Sequence, residues 1–527
     1  MPSKIQICFL AVMSVVLTSL LGGCGSGNKE GTTIGFTRVS EATCAQCHGS
    51  SVESKTGEFI YAEFTNSTHF ARNLGCQDCH GGGSAHWGKG PIQFPNPDAA
   101  GVCSNATCHS NSASAALLPS SAHFPNLTPK ILASPVIWDN MTTAAYITSQ
   151  NSNKCLTCHK PHDNRVLKQN LEWGQSGHAA AQDAPWIHYD FKARTPCNRC
   201  HTTTGYIKFV TTGDSNAWAA ANSADKTKEV LRCDGCHQDY SWKRRPLAPV
   251  QVIYTPSDGS SSLLADYGDA NICINCHAGL ESGIEITNAT SIATNFGSFN
   301  SHYLAAAGLL FRKVGYLFSP AVNYAAGNPS HIAQGGSGPG ASGPCVECHM
   351  GNSAASTPDP SHRFLPVFRD ANNLITSIDA APLCSNCHTG VGLFLISPTS
   401  TDAASIARLQ AKSDAFDAAL VELRTALQNK GIFYQPDFYP YFFKDASSNH
   451  GSSNYFTAWP DKNTLGAAFN LNTLFRAPGS YAHSHLFAYE LIFDSLDWLD
   501  NGVLDNSPAT SPTFDGSNPA ISFAGRP

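Results

Sequence analysis

One pattern, two cysteines three apart with a histidine directly after the second, decides what this chain of 527 residues can fold into. It occurs at Cys44/Cys47/His48, Cys76/Cys79/His80, Cys155/Cys158/His159, Cys197/Cys200/His201, Cys233/Cys236/His237, Cys273/Cys276/His277, Cys345/Cys348/His349 and Cys384/Cys387/His388. A ninth, stretched copy, CSNATCH, runs from Cys103 to Cys108 and His109. Of the twenty cysteines only Cys8 and Cys24 stand outside these motifs. Covalent haem attachment needs this arrangement, because two thiols add across the porphyrin vinyl groups while the adjacent imidazole takes one face of the iron. A disulfide framework also uses cysteines in even numbers, but it gives no reason for a histidine after every second one. With 21 histidines in the chain, chance would put one at each such position about one time in 25. Structural zinc sites usually space their histidines away from the cysteine pair. Nine covalently attached haem c groups are therefore expected.

The nine motifs lie between residues 44 and 388, roughly 38 residues to each haem, fewer than a compact domain needs for a core of its own. The haems must then be the core. The expected fold is mostly irregular loops with short α-helices, a multihaem cytochrome c built on stacked haems, followed by a mainly helical C-terminal cap. The expected division is 1–24 signal, 25–40 tether, 41–395 nonahaem domain and 396–527 haem-free region. In that last region Ile406, Leu409, Phe416, Leu420, Leu423 and Leu427 recur at three and four residue steps, an amphipathic helix stopped by Gly431. Leu486, Ile492, Leu496 and Leu499 mark a second helix stopped by Gly502, with the aromatic loop GIFYQPDFYPYFF between the two.

The N-terminus combines a short basic start, an apolar run and LGGC ending at Cys24, which reads as a cleaved export signal. Its close resembles a lipobox, implying a lipid on Cys24 and a place at the outer membrane. GSGNKEGTTIGF then serves as a flexible tether. Charged residues are 14%, well below the usual ~25%. The net charge of −6 argues against nucleic acid, whose binding wants a basic patch.

What faces each iron from the other side separates a wire from an enzyme. The only methionines are Met1, Met13, Met141 and Met350, and Met350 directly follows a motif histidine, so methionine ligation is excluded in practice. Twelve histidines lie outside the motifs, enough to close every iron. Local context favours His69, His86, His123, His178, His188, His302, His331 and His362. His162 lies too close to His159 for the same ring but within reach of a neighbouring haem, and His450, in a polar run, ranks last. Mostly bis-histidine, low-spin haems follow, with no catalytic residue assigned.

Several stretches, GHAAAQDAPWIHYDFKARTPCNRCHTTTGYIKFV, DKTKEVLRCDGCH, CVECHMGN with SHRFLP, and APGSYAHSHLFAYELIFDSLDWLDNGVLDNS, resemble the outer-surface multihaem c-type cytochromes of dissimilatory metal-reducing bacteria. The resemblance implies an outer-membrane lipoprotein at the cell surface or outside it. Such a protein hands electrons to metal oxides, electrodes, partner cytochromes or a porin-cytochrome complex. It also implies that some relatives self-associate into filaments. His483 and His485, if on one helix, point about 200° apart, so only one can face a given haem; the resemblance puts the ligand at His483. Two other readings stay open, a multihaem reductase of nitrogen or sulfur oxyanions with one open iron, and a mainly structural filament subunit.

Overall fold

The computed structural model describes residues 32–33, 36–37, 39–52, 58–86, 92–94, 96–97, 102, 162, 168–179, 189, 191, 194–214, 230–231, 233–237, 244–318, 322–324, 329–351, 360–389, 394–508 and 526–527. They form two compact units divided between Lys243 and Arg244. Irregular segments and short helices dominate both, and the described strands pair only as three two-stranded antiparallel ribbons. No helix among the described residues is long and apolar enough to cross a membrane.

In the first unit, helices of a turn or two carry the motifs. The longest run is a pair, Thr195–His201 and Thr203–Thr212. Thr202 separates them in extended conformation, and its hydroxyl accepts the Gly205 N–H at 3.2 Å to cap the second helix. Gly213, at φ 76°, ends it where a side chain would be strained. Among its described residues few large apolar groups are buried; Trp173 and Tyr206 are among them, and Trp173 Nε1 donates to the Leu231 carbonyl at 3.0 Å.

The second unit has an ordinary apolar core. Three helices, Ala403–Asn429, Lys462–Phe475 and His485–Asn501, bury Phe416, Leu423, Phe469, Leu474, Phe487 and Leu496 against Ile286, Phe296, Leu309 and Val314 of the segment before them. Each such side chain contributes about 1.5–3 kcal/mol when fully buried. The ends follow from local chemistry. Asp402 accepts from Ser405 N at 2.8 Å and Asp461 from Thr464 N at 2.7 Å, while Gly431 and Gly502 take the left-handed conformation. The helix Lys462–Phe475 is absent from the sequence reading. It buries Asn470 and Asn472 with their partners supplied: Asn470 Oδ1 accepts Tyr316 N at 2.7 Å, and Tyr434 donates to Asn472 Oδ1 at 3.2 Å. The aromatic loop forms the ribbon Phe433–Tyr434 with Phe442–Phe443.

His483 and His485 do not share one helix, contrary to expectation. Ser480–His483 is a separate turn, and Ser484, at φ −154° and ψ 70°, breaks the chain before His485–Asn501 begins.

Candidate haem sites

The motif fits a helical turn because positions i, i+3 and i+4 share one face at 3.6 residues per turn. The structure uses this repeatedly. Cys44, Cys47 and His48 end the helix Glu41–His48, and Cys76, Cys79 and His80 form Cys76–His80. Cys197, Cys200 and His201 lie in Thr195–His201, Cys273, Cys276 and His277 in Asn271–His277, and Cys345, Cys348 and His349 in Gly343–Met350. Cys233 and Cys236 span one turn with His237 next. The last motif departs from this pattern. Its helix, Ala381–Cys384, ends at the first cysteine, and Cys387 and His388 lie in the turns that follow. Both N–H groups still donate to the Cys384 carbonyl, Cys387 at 3.2 Å and His388 at 2.9 Å, so the helical spacing of the three ligating groups is kept without a full helix. Proline starts three of these helices, at Pro196, Pro344 and Pro382, where its missing N–H costs nothing.

No disulfide joins the described cysteines. Most of their thiols are partly buried, and those of Cys47 and Cys387 are exposed. Cys103, Cys108, His109, Cys155, Cys158, His159, His123 and His188 lie outside the described residues.

The imidazoles are oriented by their far nitrogens. His80 Nδ1 meets the Phe94 carbonyl at 2.9 Å, His277 Nδ1 that of Leu304 at 3.2 Å, and His349 Nδ1 that of Phe364 at 2.8 Å. His331 Nδ1 meets Ala482 O at 2.8 Å and His362 Nδ1 meets Pro360 O at 2.9 Å. A carbonyl only accepts, so Nδ1 carries the proton and Nε2 keeps its lone pair for a metal. Burial pushes the basicity of His80, His277, His331 and His349 down. It pushes His483 down to about 3, with His349, His331 and His277 adding to the effect. These rings are neutral at ordinary pH, the form that binds iron.

Four motif histidines face another histidine. The ring centroids are 6.1 Å apart for His48 and His86, 6.3 Å for His80 and His162, 6.0 Å for His349 and His483, and 6.3 Å for His388 and His331. Direct stacking in this protein is much closer, 3.5 Å for Phe438 on His450 and 4.0 Å for Phe191 on His201. Metal–nitrogen bonds of about 2 Å, plus about 1.1 Å from nitrogen to ring centre on each side, give about 6.2 Å between two imidazoles on opposite faces of one metal. His388 and His483 also bury Nδ1 atoms that have no hydrogen-bond partner among the described residues. The donor set and the spacing fit a haem iron.

Other histidines are placed as follows. His69 lies in the turn Thr68–Ala71 and His178 in Gly177–Ala179. His302, at φ 71°, sets its ring edge-on to Tyr303, and His362 sets its own against Phe364. His450 Nε2–H donates to Gln435 Oε1 at 2.7 Å beside Phe438. His162, left out of the favoured ligands in the sequence, is the residue opposite His80. Its position three residues after His159 excludes only that haem and carries no signal for another.

Motifs also touch each other. Glu41 and the thiols of Cys44 and Cys76 bring ligand atoms within 4.8 Å of one another. Cys273 and Cys345 are hydrogen-bonded, which together with burial pushes the Cys273 thiol far up; burial, with Cys384 and Glu347 beside it, pushes Cys348 up to about 12. Each contact joins cysteines of two different motifs.

Repeated helical Cys-x-x-Cys-His turns, with pairs of imidazoles at an iron's span, define a multihaem c-type cytochrome, an electron-transfer protein with covalently bound haem c. No known family profile matches the chain. It is homologous to the C-type polyheme cytochrome OmcB of Geobacter sulfurreducens, 27% identical over an alignment covering 94% of this chain and 95% of the relative. The C-type polyheme cytochrome OmcC of the same organism is matched at 27% with the same coverage. Among solved structures, the outer cell wall cytochrome OcwA aligns with 16% identity over 81% of this chain and 70% of its own, at a TM-score of 0.35.

Proposed function

We propose that this protein carries electrons across or beyond the outer membrane to extracellular acceptors, through nine haems most of which have two axial histidines. The observation that carries the reading is the set of four facing histidine pairs, two in each compact unit. We assign His86 to the haem of Cys44/Cys47/His48, His162 to that of Cys76/Cys79/His80, His483 to that of Cys345/Cys348/His349 and His331 to that of Cys384/Cys387/His388. The homology to polyhaem cytochromes supports the same reading, as does the lipobox-like LGGC at Cys24, which suits a lipid anchor facing other cytochromes or a porin-cytochrome complex.

Haem supplies a one-electron iron couple when bound. The chain's own residues do the rest. Paired thiols fix the macrocycle, and imidazoles on both sides leave no position for a substrate. Backbone carbonyls at Nδ1 raise ligand basicity and so favour the oxidised iron. The contacts between motifs, Cys44 with Cys76 and Cys273 with Cys345, would hold the haems of neighbouring motifs close together for transfer. The helices after residue 395 act as a cap that contributes one ligand, His483.

Two measurements test this. The mass of the denatured holoprotein should exceed that of the polypeptide by nine haems; eight would mean that CSNATCH is silent. Reduced protein should bind scarcely any carbon monoxide. Stoichiometric binding to one haem would overturn the closed-iron reading in favour of a reductase.

A further inference from the structure

The turn Ser480–His483 meets two motif sites at once. Its last residue, His483, faces His349 at 6.0 Å. The carbonyl of Ala482, one residue earlier, accepts Nδ1–H of His331 at 2.8 Å, and His331 faces His388 at 6.3 Å. The turn itself is rooted in Gly479, whose carbonyl accepts from both Ala482 N at 2.9 Å and His483 N at 3.0 Å. Gly479 also lies under the ring it positions. A Cβ there would come within 2.9 Å of His483 Cε1 and 3.3 Å of Nδ1, tighter than ordinary contact. The rest of the turn is pinned. Ser480 is fully buried and its hydroxyl donates to Ala477 O at 2.5 Å, while Arg369 donates to the Tyr481 hydroxyl at 3.2 Å.

We propose that Gly479–His483 is a shared mount for two neighbouring haems, with Gly479 the positioning residue that sets both. Through His483 it places one axial ligand directly. Through the Ala482 carbonyl it sets the tilt and basicity of the axial ligand on the next haem, because a hydrogen bond at Nδ1 tunes what Nε2 gives the metal. A side chain at Gly479 must push the His483 ring or rotate the turn, and rotating the turn moves the Ala482 carbonyl away from His331. Two irons held by one short turn are therefore expected to respond together to a change at a residue that ligates neither. This rests on the assignment of His483 and His331 as ligands.

The experiment uses the full-length holoprotein with Gly479→Val, Gly479→Ala as the milder form, and His483→Ala, each checked for an unchanged haem content and circular dichroism. Magnetic circular dichroism and electron paramagnetic resonance count the haems whose ligand field changes, and a potentiometric titration reads their potentials. His483→Ala should open one iron to carbon monoxide. Gly479→Val should alter two haem equivalents, weakening one iron and shifting the low-spin signal and potential of a second, with Gly479→Ala showing the same pair less strongly. If His483→Ala opens one iron and the Gly479 variants change one haem or none, the shared mount is wrong although the ligand stands. If His483→Ala leaves every iron closed, the ligand assignment itself fails and the shared mount with it.

Discussion

Gly466 offers a test of how the core of the second unit is held, independent of any haem. It sits inside the helix Lys462–Phe475, where alanine would ordinarily gain about 1 kcal/mol over glycine. A Cβ at this position would fall among Cγ, Cδ1 and Cε1 of Tyr316, far inside the contact distance of about 3.5–4.0 Å. The ring cannot simply retreat, because its backbone N–H donates to Asn470 Oδ1 at 2.7 Å, its carbonyl accepts from Asn470 Nδ2 at 3.1 Å, and its hydroxyl donates to Asn463 Oδ1 at 2.6 Å. Overpacking costs about 1–3 kcal/mol, and loss of the hydroxyl bond adds about 1 kcal/mol. Against the helix gain, Gly466→Ala should destabilise the unit by about 2 kcal/mol net. Guanidinium unfolding followed by far-ultraviolet circular dichroism reads this as a lower midpoint at unchanged slope. Tyr316→Leu should relieve the clash, so that the double variant loses less than the two single losses together. A Gly466→Ala protein as stable as the parent, or more so, would refute the packing argument.

Other consequences are as direct. Asp461→Ala removes the cap of the same helix and the acceptor of Trp498 Nε1 at 3.1 Å, and should cost about 2 kcal/mol by denaturant titration. Arg526→Ala strips Asp494 of a two-pronged partner at 2.8 and 3.0 Å; with Asp494 buried, the loss should be about 3 kcal/mol, and Asp494→Asn in the same background should recover part of it. Asp402 is held below its ordinary value by hydrogen bonds from the Ser405 side chain and backbone. Its folded-state pKa is the lower one, so its stabilisation is present above the unfolded carboxylate value of about 3.9 and is lost as pH falls through the depressed value. Helical ellipticity of Ala403–Asn429 should drop over that acid range, and Asp402→Asn should remove the step.

The residues that declared themselves in the sequence are those whose geometry is local. Cysteine and histidine at i, i+3 and i+4 share a helical face whatever surrounds them, and Phe416, Leu420, Leu423 and Leu427 mark a helix by spacing alone. Partnership is not local. Nothing along the chain says that His162 lies across from His80 or His331 across from His388, because the rings meet only when distant segments pack. The helix Lys462–Phe475 was hidden for a related reason. It is buried on nearly every side, so it lacks a polar face, and its asparagines look like loop residues until Tyr316 and Tyr434 are seen to satisfy them. Ser484 hid in the opposite way, since a serine before a long apolar stripe reads as part of one helix when it is the break between two.

In polymer terms, each pair of facing histidines is a prospective cross-link. An iron held between His349 and His483 ties together positions about 130 residues apart, and a closure of that length removes about 5 kcal/mol of chain entropy from the unfolded ensemble. The span from His48 to His86 is about 40 residues, and its closure is worth about 4 kcal/mol. The described residues of the first unit bury few large apolar groups, so there such ties would add to a small core. If these pairs ligate iron, losing an axial histidine would unfold the segment it anchors as well as change the metal, and the order in which ligands let go under denaturant would trace the order in which the chain comes apart.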